Sequence, residues 1–479
     1  MNPRRALLGV TLLAIAAAAV ALLAHLDSAR LLTHASGVFL LLAELLREGV
    51  IYPRPSADLV YATFYHPLSF APYALLPGAG LELARSVRLL VGIETLACLF
   101  LATRLWRPSG GADVRLQPAL WALCTVPVCF ALIGMRDDPR ALLFGLLALL
   151  TFGGGDGARP VLAGVLLGLA FFTKATAPFA PGLALLWAAL REGEGSRHAR
   201  ALRLVLATAG TIGGGVAIMQ WGLGCDFLHN GLYYMVVEPP GPGRPLGEWL
   251  AALGTDLTRE TALPVLLTLA CFGSALRMGR QRTDRFDVLL LAGVVKTIVV
   301  YRSYGTDLNH LLDVAVFAAI VLARQLDAWL TPSRAHIALV VALGLGQPWR
   351  WLVPEPGTPA LAASPVATAA AALRAQPATP TLCEEPLLGW LADVRPITTD
   401  SFLTLAALRR APDVRARWFG PPSDAGALRR LVLMHDPRRE DPAIEHWYAH
   451  LHFDAAFLAM VRAEWQVVVA TDTATVLVR

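Results

Sequence analysis

The chain has 479 residues, of which 56% are hydrophobic and 16% are charged, and its formal net charge is +5. Soluble domains typically carry about 25% charged residues, so this composition excludes an ordinary soluble protein. The positive charge does not indicate nucleic-acid binding, because the basic residues lie in short loops between apolar segments. Lys174 and Lys296 are the two lysines, so 39 of the 41 basic residues are arginines.

In chain order, eleven apolar segments are candidates for membrane-spanning helices. A span needs about 20 apolar residues, and several segments are shorter, which suits tilted or re-entrant helices. The predicted fold is therefore an all-α polytopic membrane protein with about 11 transmembrane helices. The segments lie at residues 6–25, 86–104, 117–134, 141–155, 160–172, 177–190, 204–222, 262–278, 286–301, 310–326 and 335–348.

Two kinds of loop alternate between these segments. One kind is rich in arginine, at Arg4/Arg5 and residues 104–115, 191–203, 277–285 and 324–334. The other kind collects Asp, His, Tyr, Asn and Gly, at residues 27–88, 135–140, 172–178, 221–261 and 301–310. The positive-inside rule places the arginine-rich loops and the N-terminus in the cytoplasm and the polar loops outside. We expect a multi-pass protein of the bacterial inner (cell) membrane, in which 6–25 is an uncleaved first helix.

The first external loop is about sixty residues long and contains a predicted helix at 36–48. Gly37, Phe39 and Ala43 have helical spacing, and charged residues cluster at its end, a pattern typical of a helix lying at the membrane interface. The loop also carries candidate chemical groups, namely Asp27, Arg30, His34, Tyr61, Tyr65 and His66.

Three further external segments carry candidate site residues. Arg136, Asp137 and Asp138 precede Pro139, where an Asp also suits a helix cap in a solvated turn. Lys174 ends an apolar span, where it is either a snorkelling lysine or an anion contact. The segment 301–313 brings Arg302, Asn309 and His310 to a helix boundary and places Asp313 within the bilayer, where an acid is costly unless it is paired.

The hydropathy falls after about residue 349. Residues 1–348 are therefore predicted as the transmembrane domain, and the Pro/Ala-rich stretch 349–380 as a linker. Residues 381–479 alternate β-rich segments, such as 428–437 and 465–479, with helical ones. They predict a small soluble α/β domain on the external side.

HExxH, CxxC, GxSxG and Walker patterns do not occur, so zinc hydrolysis, serine acyl transfer and P-loop ATP use lack support. Residues 1–330 carry a series of ordered motifs: the Gly37-led helix ending at 48–52, residues 64–68, Arg136-Asp137-Asp138, residues 164–174 ending in Lys174, and Gly305 to His310. In their order, these motifs resemble those of the GT-C superfamily of polytopic glycosyltransferases, which includes protein O-mannosyltransferases and aminoarabinose transferases.

The resemblance implies a glycosyltransferase that moves a hexosyl or pentosyl group from a polyprenyl-phosphate donor to an external acceptor hydroxyl, with inversion. Acceptors in this class are glycans, lipids or proteins, and the membrane lipid is itself a partner. In the family, an acid of the first external loop is the general base and immediately precedes the Gly that opens the interfacial helix. Ser36 occupies that place here, so Asp27 is the expected base and His34 its substitute.

The resemblance also implies the remaining roles. Asp138, or its neighbour Asp137, fits the second acid of the family and would orient the acceptor or hold the base. Lys174 and Arg302, with Arg136, would hold the phosphate. Further substrate contacts are expected at Tyr65, His66, Asn309 and His310. No cofactor is expected, and no residue pattern supports a divalent cation or another metal.

Two other interpretations stay open. A polytopic transporter or lipid flippase would explain the hydrophobicity and the charged residues Lys296 and Asp313, but it predicts polar residues near mid-span and internal repeats. A catalytically inactive scaffold would explain Ser36 at the position where the family has its acid.

Overall fold

A computed structural model gives the fold of the chain. It describes residues 3–28, 34–54, 56, 59–61, 63, 65–106, 117–153, 159–192, 196–233, 243–259, 261–303, 306, 308–329, 352–353, 360–376, 379–421, 424, 427–471 and 474–479. Helices occupy ten of the eleven predicted apolar segments, and the eleventh, 335–348, lies outside the described residues.

In the membrane part, the regular secondary structure of the described residues is helical. Its α-helices, numbered α1 to α14 in chain order, are Pro3–His25, His34–Arg47, Pro67–Ala74, Gly80–Leu105, Gln117–Leu123, Val126–Ile133, Asp138–Phe152, Pro160–Thr173, Phe179–Arg191, Arg197–Ala217, Leu246–Thr258, Ala262–Gly279, Arg285–Val300 and Leu312–Trp329. Short π-helical turns at Ile218–Gly222 and Leu228–Tyr233 and a 3₁₀ turn at Leu308–Leu311 complete it. The predicted segment 117–134 forms two helices that meet at Thr125.

Several helix boundaries follow directly from local sequence. Asp284 caps α13, accepting from the backbone of Phe286 and Asp287, and the Asp287 side chain completes a capping box. The Ser196 side chain caps α10 by accepting from the backbone amide of Ala199. Proline stands at the first or second position of α7 and α8, where its missing N–H has no helical partner to lose.

Within the part of the chain that the structure describes, four helical segments are long and apolar enough to cross a membrane: Gly80–Leu105, Arg197–Gly222, Ala262–Gly279 and Leu308–Leu326. Their outer faces expose large apolar side chains such as Ile93, Leu206 and Phe272, which is 60% exposed. A helix whose exposed face is this apolar is stable in lipid and unfavourable in water. The protein is therefore a multi-pass integral membrane protein.

Charged residues of the arginine-rich loops meet at one end of the helices. Arg277 bonds Asp284 at 2.7 Å, Arg324 also pairs with Asp284, and Arg285 lies 3.6 Å from Glu192. The polar loops gather at the opposite ends, where α7 begins, α8 ends, α13 ends and α14 begins. The structure thus separates the two kinds of loop, and their orientation relative to the cytoplasm stays a prediction.

A small four-stranded sheet forms the C-terminal part, as the sequence predicted. Its strands are β1 Thr381–Cys383, β2 Arg430–Leu433, β3 Gln466–Ala470 and β4 Thr475–Val478, in the order β1-β2-β4-β3. The β1–β2 pair is parallel and the other pairs are antiparallel. Helices pack around it at Pro365–Arg374, Pro386–Leu391, Ser401–Arg410, Pro412–Trp418, Pro442–His446 and Ala455–Glu464. The first of these, numbered α15, lies within the stretch 349–380 that was predicted as a linker.

The C-terminal part packs directly against the first loop. A Cβ built on Gly37 of α2 would lie 2.1 Å from the backbone nitrogen of Leu387, so only glycine permits this approach. The amide of Val60 donates to the carbonyl of Ile397 at 2.7 Å, and Arg395 bonds Glu48 at 2.7 Å. Helix α2 is consequently buried along most of its length beneath the C-terminal part.

Candidate active site

A narrow cleft lies among the helix ends that carry the polar loops. Its polar lining consists of two carboxylates, two lysines and one amide: Asp138, Lys174, Lys296, Asn309 and Asp313. Apolar residues of α7, of the turn before α9, of α9 and of α14 form the rest of the wall, namely Ala141, Leu142, Gly145, Ala177, Pro181, Leu312 and Phe317. Four sequence segments that are far apart in the chain therefore place charged groups around one point.

Asp138 is the centre of this cluster. Its side chain is 8% exposed and forms an ion pair with Lys174, while its second oxygen accepts from the Asn309 amide at 2.7 Å. Asp138 is the first residue of α7, where the partial positive charge of a helix N-terminus also stabilises an anion. The carboxylate is thus fixed in place by a cation, an amide and a helix end.

Lys174 links two of the predicted segments. It follows the last residue of α8, and its Nζ lies 3.2 Å from the His310 Nδ1 as well as beside Asp138. The sequence left open whether Lys174 is a snorkelling lysine or an anion contact. The structure places its ammonium inside the cleft beside the Asp138 carboxylate, with 20% of the side chain exposed, and its contact with the donor phosphate stays a prediction.

Lys296 and Asp313 form a second ion pair in the same cleft. The sequence indicated that Asp313 needs a partner, and Lys296 of α13 provides it. Their side chains are 10% and 16% exposed. Sequence reasoning did not assign Lys296 to the site, although the scarcity of lysine was a usable signal, because both lysines of the chain line this cleft.

Asp137 and Arg136 flank Asp138. Asp137 is 5% exposed and stands at the N-cap of α7, where burial and then the neighbouring Asp138 charge raise its pKa. The backbone carbonyl of Arg136 accepts from the Tyr73 hydroxyl at 3.4 Å, and its side chain is partly exposed. Asp138, which pairs with a lysine, is therefore the better anion of the two, and Asp137 is the better proton donor.

Tyr65 and His66 lie in the folded part of the first loop. The Tyr65 ring packs 4.5 Å from Phe39, and burial raises its pKa well above the usual value, with carboxylates including Asp400 and Asp138 adding to the increase. The ring nitrogens of His66 lie 2.6 Å from the carbonyl oxygen of Phe171 and 2.9 Å from that of Gly231. Burial lowers the His66 pKa more than the two carbonyl groups raise it. A neutral imidazole has one N–H, so the neutral ring donates to one of these two carbonyl oxygens. The predicted substrate contacts of Tyr65 and His66 stay predictions.

The two candidate bases of the first loop lie in different surroundings. Asp27 is 61% exposed, pairs with Arg85 and lines a second cleft with Leu26, Arg88 and Met135. Met135, which lines this second cleft, is three residues before Asp138 in the sequence, so one segment contributes residues to both clefts.

His34 lies beneath the C-terminal part, where its Nε2 is 3.4 Å from the Asp400 carboxylate. Burial alone would lower the pKa of His34, but the hydrogen bond and charge of Asp400 outweigh burial and raise it. Asp400 could not be predicted as the partner of His34, because it lies 366 residues away in the sequence and their contact depends on how the C-terminal part docks.

Arg302 is exposed beside the segment at Gly243–Arg244, where its carbonyl accepts from the Arg244 amide at 2.8 Å. It is not among the residues that line the cleft of Asp138. Its predicted contact with the donor phosphate stays a prediction. Among the described residues, no group of three His, Cys, Asp or Glu side chains is arranged to hold a metal ion.

Comparison with known proteins gives a consistent picture of the fold. No family model and no curated protein matches the chain. Among solved structures, ArnT from Cupriavidus metallidurans bound to undecaprenyl phosphate matches with a TM-score of 0.60 and 14% identity over 98% of both chains. Its apo state matches at 0.59 and 15% identity, covering 98% of this chain and 97% of that one.

The oligosaccharyltransferase of Archaeoglobus fulgidus in the apo form is also similar. Its TM-score is 0.52 at 12% identity, covering 95% of this chain and 73% of that one. ArnT is an aminoarabinose transferase, and both proteins are members of the GT-C superfamily. Identity this low establishes fold and leaves function to the site. The chain has the fold of these two proteins.

Proposed function

We propose that this protein is an integral-membrane glycosyltransferase that transfers a sugar from a polyprenyl-phosphate donor to an acceptor hydroxyl on the external face. One observation carries the proposal: the ends of three helices, α7, α8 and α13, bring Asp138, Lys174 and Lys296 to one cleft. The solved ArnT structure, which has the same fold, holds undecaprenyl phosphate. A lipid phosphate needs an apolar path for its tail and cations for its head, and the helix ends offer both.

In the proposed reaction, the acceptor oxygen attacks the anomeric carbon opposite the phosphate, so the configuration inverts. The bond between the anomeric carbon and the phosphate oxygen breaks, and its electron pair stays with the phosphate. The acceptor proton passes to a base, for which Asp27 is the first candidate and His34 the second. Lys174 stabilises the charge that grows on the phosphate, and Asp138 holds Lys174 and the acceptor in place.

The choice between the two bases has a direct test. Asp27 is exposed beside Arg85, within reach of solvent and lipid headgroups, whereas His34 lies under the C-terminal part against Asp400. We therefore expect Asp27→Asn to lower turnover by at least ~100-fold, the usual scale for a positioned base. We expect His34→Gln to change it less than about tenfold. The reverse order of effects would make His34 the base.

A reconstituted transfer assay tests the proposed function. The purified chain in liposomes receives polyprenyl-phosphate pentose or hexose donors labelled in the sugar, with glycan, lipid and protein fractions of a cell envelope as acceptors. We expect label in one acceptor fraction and release of polyprenyl phosphate in equal amount. Movement of the donor between leaflets without transfer would instead support a lipid flippase. Binding of the lipid with neither transfer nor movement would support an inactive scaffold, the interpretation that Ser36 keeps open.

A further inference from the structure

Both lysines of the chain lie in one cleft, although arginine supplies 39 of its 41 basic residues. Lysine presents a compact point charge on a flexible stem, whereas arginine presents a rigid planar fork. A point charge follows a phosphate oxygen as its position and charge change during a reaction. The presence of both lysines in this cleft is therefore better explained by a role in binding a reacting phosphate than by a general need for positive charge.

The resting cleft has little room for an anion. Its free volume is about 20 Å³, close to the space that one water molecule needs. Two ion pairs, Lys174–Asp138 and Lys296–Asp313, fill the rest. A phosphate enters only when a lysine exchanges its carboxylate for a phosphate oxygen.

The pair Lys296–Asp313 is the one that separates more easily. Asp138 is held by Lys174 and by the Asn309 amide at 2.7 Å, and Lys174 also contacts His310. Asp313 has its own backbone support, because its Oδ1 accepts from the amide of Val314 at 2.9 Å in the first turn of α14. The Asp313 carboxylate therefore stays stabilised on its helix when Lys296 moves away.

The change of charge in the proposed reaction explains why Lys296 would exchange the Asp313 carboxylate for a phosphate oxygen. A polyprenyl-phosphate sugar is a phosphodiester with a single negative charge, whereas the released phosphate monoester carries about −1.5 to −2 near neutral pH. The additional charge develops as the bond to the sugar breaks. A lysine that reaches the phosphate at that moment stabilises the transition state more than the bound donor.

We propose that Lys296 leaves Asp313 to bind the departing phosphate, so that the cleft holds the polyprenyl phosphate product more tightly than the donor. This inference rests on the proposed function. The competing explanation is purely structural: the pair only ties α13 to α14. In that case, substitutions of the pair change stability and leave phosphate affinity unchanged.

Binding of undecaprenyl phosphate to the full chain in lipid nanodiscs separates the two explanations. We expect Lys296→Met to weaken binding at least about tenfold, as for loss of a hydrogen bond to a charged group, and Lys296→Arg to recover part of it. We expect Asp313→Asn to strengthen binding several-fold, a gain that misfolding cannot produce. Arg324→Met is the matched control, because it removes a cation from an ion pair at the opposite end of α14. This control should bind like wild type.

The outcomes also separate this inference from the proposed function. Unchanged affinity in both Lys296→Met and Asp313→Asn, with tight binding by wild type, would overturn the role of Lys296 alone. Failure of wild type to bind undecaprenyl phosphate would overturn the proposed function and the inference together. Inorganic phosphate serves as a competitor, and we expect it to displace the lipid weakly because it lacks the apolar tail.

Discussion

Replacing Asp138 by Asn is the most informative single perturbation of the site. The change preserves shape but removes the charge that faces Lys174, and the amide cannot accept from Asn309 and neutralise the lysine together. Breaking a buried ion pair typically costs about 3–5 kcal/mol. Lys174 is 20% exposed and lies 3.2 Å from His310, so we expect the lower end of that range for stability.

The expected loss of turnover is at least ~100-fold, or about 3 kcal/mol in the activation barrier. The assay is sugar transfer by the reconstituted chain, normalised to the folded fraction from a thermal melt. Asp287→Asn is the matched control, because Asp287 is 2% exposed and bonds Arg277 at 3.0 Å and Ser274 at 2.8 Å at the other end of the helices. It should lose comparable stability and keep its turnover. Wild-type turnover in Asp138→Asn would refute the role given to this carboxylate.

Two further predictions concern the docking of the C-terminal part. Gly37→Ala forces a Cβ to within 2.1 Å of the Leu387 backbone nitrogen, so we expect a loss of about 3 kcal/mol or more in unfolding free energy and faster proteolysis of the C-terminal part. Gly210→Ala, where the Cβ meets open space in a helix, should be neutral or stabilising. His34 has a pKa raised above 6.5 by Asp400, so its contribution to stability is full below that pH and is lost as pH rises through the folded pKa. The melting-temperature difference between wild type and His34→Gln should therefore shrink from about pH 5.5 to about pH 8.5, and a constant difference would contradict this.

Much of the membrane part could be predicted from the sequence, because apolar runs and caps are local signals. The run 160–172 corresponds to α8, which begins at Pro160, and Asp138 stands beside Pro139 at the start of α7, as its spacing suggested. The alternation of loops correctly placed Lys174 and Asn309 at the same end of the helices as Asp138.

Other features depend on packing between distant segments and could not be predicted from local patterns. The sequence indicated that Asp313 needs a partner within the bilayer. Only the packing of α13 against α14 identifies that partner as Lys296. The contact of His34 with Asp400 requires the C-terminal part to fold over α2, which no local pattern encodes. Arg302 was expected at the phosphate because of its position in the chain; it is exposed and is not among the residues that line the cleft, and its contact with the phosphate stays a prediction.

The central claim is that the helix ends form one cleft that binds a lipid phosphate. A structure of the protein with undecaprenyl phosphate bound in a nanodisc tests it most directly. We expect the phosphate between the ends of α7, α8, α13 and α14, with oxygens about 2.7–2.9 Å from the Nζ atoms of Lys174 and Lys296. A phosphate bound instead among Arg277, Arg285 and Arg324 at the opposite ends of the helices would contradict the account.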